Sequence, residues 1–290
     1  MKFIFKLLIF SLFSAGASAQ NLPVGWDELT SPDFVKAVEN SDRVCIIPMG
    51  ILEKQGAHLP LGTDIYMSYE VSYRAAQKDY CIVFPYYYVG QIYEAKHQPG
   101  TIAHSPELMY KMLDETCKEI ARNGIKKIIL VNSHGGSNAF LQFFCQSQLN
   151  EEKDYAVYLF RSQVNSDAPE IAAVRKSTLT GHADEARASF MMVVRPDLVK
   201  IDRADEESGA PKDGLPLENI FTGIWWYVKY PNHYSGDAKH ANKALGELVV
   251  EQQVQSLLGA IKAVKADKYT IEMQNRFYDE SRNPLKTQPK

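Results

Sequence analysis

Four short apolar runs, each followed by a loop and then a helix-like pattern, restrict this chain to few architectures. Val44 to Pro48, Tyr80 to Pro85, Ile125 to Val131 and Tyr155 to Phe160 are strand-length and dominated by apolar residues, many of them β-branched or aromatic. Between them lie helix signals. Ser31-Pro32-Asp33 opens a short helix to about Asn40. Thr63 or Asp64 can cap a helix running to about Lys78, and Ser105-Pro106-Glu107 opens a long one that closes at Asn123-Gly124. Further helices are expected from Ser137 to about Asn150, from Asp184 to Val194 and from about Ala238 to Ala266, with an extended piece beginning at Leu198-Val199. The polar stretch Asp202 to Leu217 reads as a surface loop, and the tail from Ser281 onward as a polar end. Alternation of this kind predicts an α/β fold: a three-layer sandwich with a mostly parallel central sheet covered by helices on both faces. No linker, repeat or low-complexity tract divides it, so residues 20–290 are read as a single domain.

The first residues read as a secretory signal, residues 1–19. Lys2 and Lys6 form the positive region, Leu7 to Phe13 the apolar core, and Ala17-Ser18-Ala19 the small-residue site, placing cleavage before Gln20. The expected location is therefore periplasmic or secreted, and the mature chain has about 270 residues, enough for one α/β domain. No other segment is apolar enough to span a membrane. Loss of Lys2 and Lys6 takes the formal charge from -3 to -5, which gives no basic surface for nucleic acid or anionic lipid. Cys45, Cys81, Cys117 and Cys145 form no CxxC pair, so a cysteine-based zinc site is not expected. Three disulfide pairings are open to them, and buried free thiols are the simplest alternative.

The chemistry-bearing residues cluster after two of the strands. Pro48 to Asp64 carries Glu53, His58 and Asp64, three potential metal ligands in a loop leaving the carboxyl end of a strand, where open α/β sheets place their ligands. Asn132-Ser133-His134-Gly135-Gly136 follows the strand ending at Val131 in the same way. Singly, Glu53 and Asp64 would pass for surface charge and a helix cap. With His134 they form a set of two carboxylates and one imidazole suited to Zn, Mn or Fe(II). The glycines after His134 and the free N–H groups of the following helix could hold a developing oxyanion. His182 and Glu185 make an H-x-x-E pair whose members would share a helix face. The imidazole could serve as general acid or base with Glu185 orienting it or binding metal, or both could simply support other groups or a helix start. Tyr86 to Tyr88, the Gly90 to Thr101 loop and Trp225-Trp226-Tyr227 could line a pocket or pack internally. His104, His233 and His240 are assigned no role. Neither a G-x-S-x-G elbow nor a P-loop is present.

At these motifs the chain resembles the creatininase (creatinine amidohydrolase) family. The family's G-x-x-E-Q-H-G-x-H-L-P-L-x-T-D-like stretch is matched by Gly50, Glu53, Gly56, His58, Leu59, Pro60, Leu61, Thr63 and Asp64. Its N-G-H-G-G-N-like element is matched by Asn132, His134, Gly135 and Gly136, its P-G-T by Pro99-Gly100-Thr101, and its H-A-G-E by His182, Ala183 and Glu185 with Asp184 in place of glycine. A late small-residue segment matches Gly236 to Gly246. The resemblance implies an α/β sandwich, a metal centre that is often binuclear, cleavage of amide-type C–N bonds in small and often cyclic substrates, and assembly into a homo-oligomer. Carried over, Glu53, Asp64 and His134 match the ligands of one metal, with Asp64 in the bridging position. The second site departs from the pattern. Gln55 stands where a histidine ligand is expected, Lys54 where the family has glutamine, Gly136 where creatininase has a glutamate ligand, and Arg187 where a second glutamate is common. The expectation is an exported metal-dependent amidohydrolase with one divalent metal, acting on a small molecule other than creatinine. The rivals are a non-catalytic ligand-binding protein on the same fold, and a one-metal hydrolase acting on an ester or lactone.

Overall fold

The computed structural model describes residues 22–161 and 164–287; the expected signal segment lies outside them. Four strands, β1 (Val44–Met49), β2 (Ile82–Val83), β3 (Lys127–Asn132) and β4 (Ala156–Arg161), form a sheet in the order β2-β1-β3-β4 with every pairing parallel. The helices are α1 (Ser31–Asn40), α2 (Thr63–Lys78), α3 (Pro106–Arg122), α4 (Asn138–Ser147), α5 (Pro169–Ala172), α6 (Glu185–Val194), α7 (Trp225–Lys229), α8 (Lys243–Ala266) and α9 (Tyr269–Ser281).

The sheet divides the interior into two cores by strand alternation. Cys45, Ile47 and Met49 of β1 with Ile128 and Leu130 of β3 face α1, α3 and α4, whose Val38, Leu113, Cys117, Ile120, Leu141 and Phe144 complete that core. Val44, Ile46, Ile129 and Val131 face the other way, onto Val71 and Ala75 of α2, Phe190 and Met191 of α6, and Val249, Val254, Leu257 and Ile261 of α8. Burial on both faces explains why β1 reads as an unbroken apolar run. The result is the expected three-layer sandwich. Among the described residues no helix is long and apolar enough to cross a membrane.

Several elements differ from the sequence expectation. The run Tyr80 to Pro85 pairs only over Ile82–Val83, because Pro85 has no N–H to donate, and contact with β1 resumes as a single bridge between Met49 and Tyr87. The first helix is capped by Thr30 rather than Ser31. Leu198-Val199 forms no strand, since Pro196–Leu198 is a 3-10 turn. The last long helix begins at Lys243, where the Asn242 side chain accepts from Leu245 N–H, and a further helix, α9, follows it. All four cysteines are free thiols, three of them buried and Cys145 partly so.

Two features of this frame build the site. The β1–β3 register pairs Met49 with Asn132, so the loops carrying Glu53 and His134 leave the sheet side by side. Gly50 lets the first turn of α2 close onto that strand end: a Cβ there would lie 2.4 Å from Ile65 N and 2.5 Å from Asp64 C.

Candidate metal centre

Glu53, Asp64 and His134 converge at the carboxyl ends of β1 and β3. All three are buried, with their ligating atoms within 4.8 Å of one another. Asp64 does not cap α2; the cap position is Gly62, which offers no side chain. The Asp64 carboxylate turns inward instead, its Oδ2 3.2 Å from His134 Nδ1 and its Oδ1 accepting from Arg187 Nη1 at 2.5 Å. Glu53 Oε1 lies 3.0 Å from His134 Nδ1 and accepts from Gln55 Nε2 at 3.0 Å. Buried carboxylates are costly unless so compensated.

The hydrogen-bond partners fix which atoms carry protons. His134 Nε2 lies 2.9 Å from the Gln91 carbonyl, which only accepts, so Nε2 carries the hydrogen. Nδ1 then faces two carboxylate oxygens and needs a cation there, either a proton or a metal. Without metal a proton fills that role. Burial opposes it, but the Glu53 and Asp64 charges and hydrogen bonds outweigh burial and push the His134 pKa up to about 10. Burial would likewise raise Glu53, yet the surrounding His182, His134 and His233 imidazoles hold its carboxyl well below the ordinary glutamate range. Asn132 fixes the imidazole's backbone: its Oδ1 accepts from His134 N–H at 3.2 Å and its Nδ2 donates to the His134 carbonyl at 2.6 Å.

The H-x-x-E pair does not share a helix face. Ala183 takes a left-handed φ of 62°, Asp184 is the N-cap of α6, and the helix starts only at Glu185. His182 therefore sits in the preceding loop, donating Nε2–H to the Lys54 carbonyl at 2.8 Å and turning bare Nδ1 toward Glu53 Oε1 at 3.8 Å. Burial lowers its pKa, against the opposing pull of the Glu53 charge. Glu185 turns away from the cluster and accepts backbone N–H bonds from Lys176 and Ser177. His58, adjacent in sequence to the first motif, also stays outside: its Nε2 donates to the Ala183 carbonyl at 3.0 Å and so holds the His182 loop.

Arg187 reaches the cluster from the first turn of α6. Besides Asp64 it donates from Nη2 to the Ser133 carbonyl at 3.1 Å, and burial does not dislodge its charge because Asp64, Asp184 and Glu53 surround it. A cavity of about 580 Å³ opens beside it, bounded also by Met67, Ser133, Thr180 and Asp184. Sequence reasoning missed His233, which contacts Glu53 Oε2 at 2.5 Å, and Trp226, which donates from Nε1 to His233 Nδ1 at 2.9 Å. A cue was the aromatic run at Trp225; nothing in spacing tied it to Glu53.

The sequence profile described as Creatininase: Creatinine amidohydrolase matches residues 27–261. The chain belongs to the creatininase family. A creatinine amidohydrolase of Pseudomonas putida is 26% identical over 253 residues, covering 81% of this chain and 95% of the relative. A manganese creatininase structure is 23% identical with a TM-score of 0.71, and a mutant creatininase of Zn–Zn type is 24% identical with a TM-score of 0.73; each comparison covers 84% of this chain and 99% of the other. These structures establish that the creatininase fold is shared.

In this family member Gly136 leaves no room for a ligand side chain. A Cβ there would lie 2.4 Å from His134 Nε2 and 2.7 Å from Gln91 Oε1. Gly136→Ala should push the imidazole off the Gln91 carbonyl and out of line with both carboxylates. The expected result is metal affinity weakened by at least about tenfold with the fold retained, checked by chelator competition and circular dichroism.

Proposed function

We propose that this creatininase-family protein is an exported, metal-dependent hydrolase that cleaves amide-type C–N bonds in a small, including cyclic, substrate. The observation that carries this reading is the meeting of Glu53, Asp64 and His134 around one point, with His134 Nδ1 facing two carboxylate oxygens. That donor set fits a divalent Zn, Mn or Fe ion. Such an ion, when bound, would polarise a carbonyl and lower the pKa of bound water.

One ion is the expected load. Two carboxylates balance one divalent charge, and the outer oxygen of Asp64 is already taken by the Arg187 guanidinium. Gln55 spends its amide N–H on Glu53, and Gly136 offers no side chain. Arg187 is the fixed second cation of the site. The substrate enters from the cavity beside Arg187, whose volume suits a small molecule. His182 supplies the proton acceptor: with Nε2–H bound to the Lys54 carbonyl, its neutral Nδ1 can take a proton from attacking water and return it to the leaving nitrogen. Glu185 holds the 176–177 backbone beneath that loop. Residues 1–19 direct export, on the strength of their charge and small-residue pattern. Assembly into a homo-oligomer belongs to the same reading, supported by the exposed apolar residues Ile220, Phe221, Ile224 and Trp225.

The test is metal analysis of the purified mature chain together with a turnover screen of creatinine, other cyclic amides, formamides, esters and lactones. About one zinc, manganese or iron per chain, with metal-dependent hydrolysis of an amide, is expected. Metal-free protein without turnover would replace this reading with ligand binding on the same fold, and turnover confined to esters or lactones would correct the bond class.

A further inference from the structure

We infer that His233 is a positioning residue for Glu53, held in one tautomer by Trp226, and not a ligand of a second metal. The inference rests on the reading of Glu53 as a metal ligand, but the proton positions stand independently of it. Glu53, His182 and His233 bring their ligating atoms within 4.8 Å, which by distance alone would pass for a second metal site. The hydrogen bonds decide otherwise. An indole N–H can only donate, so His233 Nδ1, which accepts from Trp226 Nε1 at 2.9 Å, carries the lone pair. The hydrogen of the neutral ring is then on Nε2, and it is Nε2 that faces Glu53 Oε2 at 2.5 Å. An Nε2–H has no lone pair to offer a metal. It has a hydrogen to offer a carboxylate.

The consequence falls on Glu53. With Oε2 fixed by His233, the other oxygen, Oε1, is the one presented to His134 Nδ1 and the shared point with Asp64. The chain maintains this contact in a backbone conformation that side-chain-bearing residues avoid: His233 has φ 51° and is 2% exposed, with Glu53 fully buried against it. The ring is boxed in by His182, whose centroid is 4.6 Å away, and by Trp226 at 5.8 Å. Neither neighbour competes for Nε2. Hydrogen-bonding partners behind a ligand typically set metal affinity within a factor of about 10–100.

Two substitutions and one spectrum test this. Trp226→Phe keeps an aromatic ring and removes the donor. His233→Asn keeps a residue that tolerates the left-handed backbone and removes the imidazole. Each should weaken zinc binding about 10–100-fold in chelator competition. In metal-free wild-type protein, ¹⁵N-edited NMR of the histidine rings should show His233 as the Nε2–H tautomer, with Nδ1 bare. An Nδ1–H tautomer in the wild type, or zinc affinity within about threefold of wild type in both variants, would overturn the inference. Should the wild type take up no metal, the metal reading itself fails, and the tautomer measurement alone decides the His233 assignment.

Discussion

Asp64→Ala should abolish metal uptake and cost about 3 kcal/mol of folding stability. Two separate losses coincide at this residue. The first is a ligand: Oδ2 is one of the two carboxylate oxygens on His134 Nδ1, and without it the remaining donors are one carboxylate and one imidazole. The second is a counterion. Arg187 is inserted between α2 and α6 with its side chain about four-fifths buried, and its strongest partner is Asp64 Oδ1. Removing only the carboxylate leaves that charge hydrogen-bonded to the Ser133 carbonyl and Met67 sulfur alone. The double variant Asp64→Ala, Arg187→Met should regain most of the stability while remaining unable to bind metal, since it removes both members of the pair. Metal content by plasma mass spectrometry and urea denaturation separate the two losses. Normal metal content in Asp64→Ala would remove Asp64 from the ligand set and the proposed centre with it.

How much of this was legible in the sequence follows from which contacts the sheet makes and which depend on loops. Glu53, Asp64 and His134 could be chosen from the chain because they leave parallel neighbouring strands at the same end, and such strands deliver their loops to one crevice. The two-faced sandwich was legible for the same reason: β1 and β3 alternate their residues between two cores. Asp64 was ambiguous, because the first turn of a helix is also where an aspartate caps; Gly50 settles its direction by admitting α2 against the strand. The pairing of His182 with Glu185 was read from helical spacing and fails on one residue, Ala183, whose left-handed backbone puts the two side chains in different structures. His233 lies 180 positions from Glu53 and reaches it through an irregular segment, so no periodicity marks it. Arg187 could be seen as unfavourable to a second metal, but its seat on Asp64 required the packing of α6 against α2.

Metal affinity should rise about tenfold per pH unit between pH 6.5 and 9, because metal and proton compete for one atom. In the metal-free protein His134 Nδ1 holds a proton between two carboxylates, with a pKa of about 10 against an ordinary value near 6.5. Metal binding must expel it, and each step down in proton concentration lowers that cost. The same proton links pH to stability with a definite sign. A folded-state pKa above the unfolded value means that its contribution is fully present below about pH 6.5 and is lost as pH rises through about 10. Glu53 does not reverse this, since its depressed pKa leaves it ionised throughout that window. Metal-free protein should therefore lose thermal stability steadily from pH 6.5 to 10. Metal-loaded protein, whose cation does not titrate away from Nδ1, should lose much less. Calorimetric titrations in buffers of different ionisation enthalpy should count about one proton released per metal bound at pH 7.5. Release of none, with a pH-independent affinity, would mean that His134 is already bare in the metal-free protein and that the two carboxylates do not charge it.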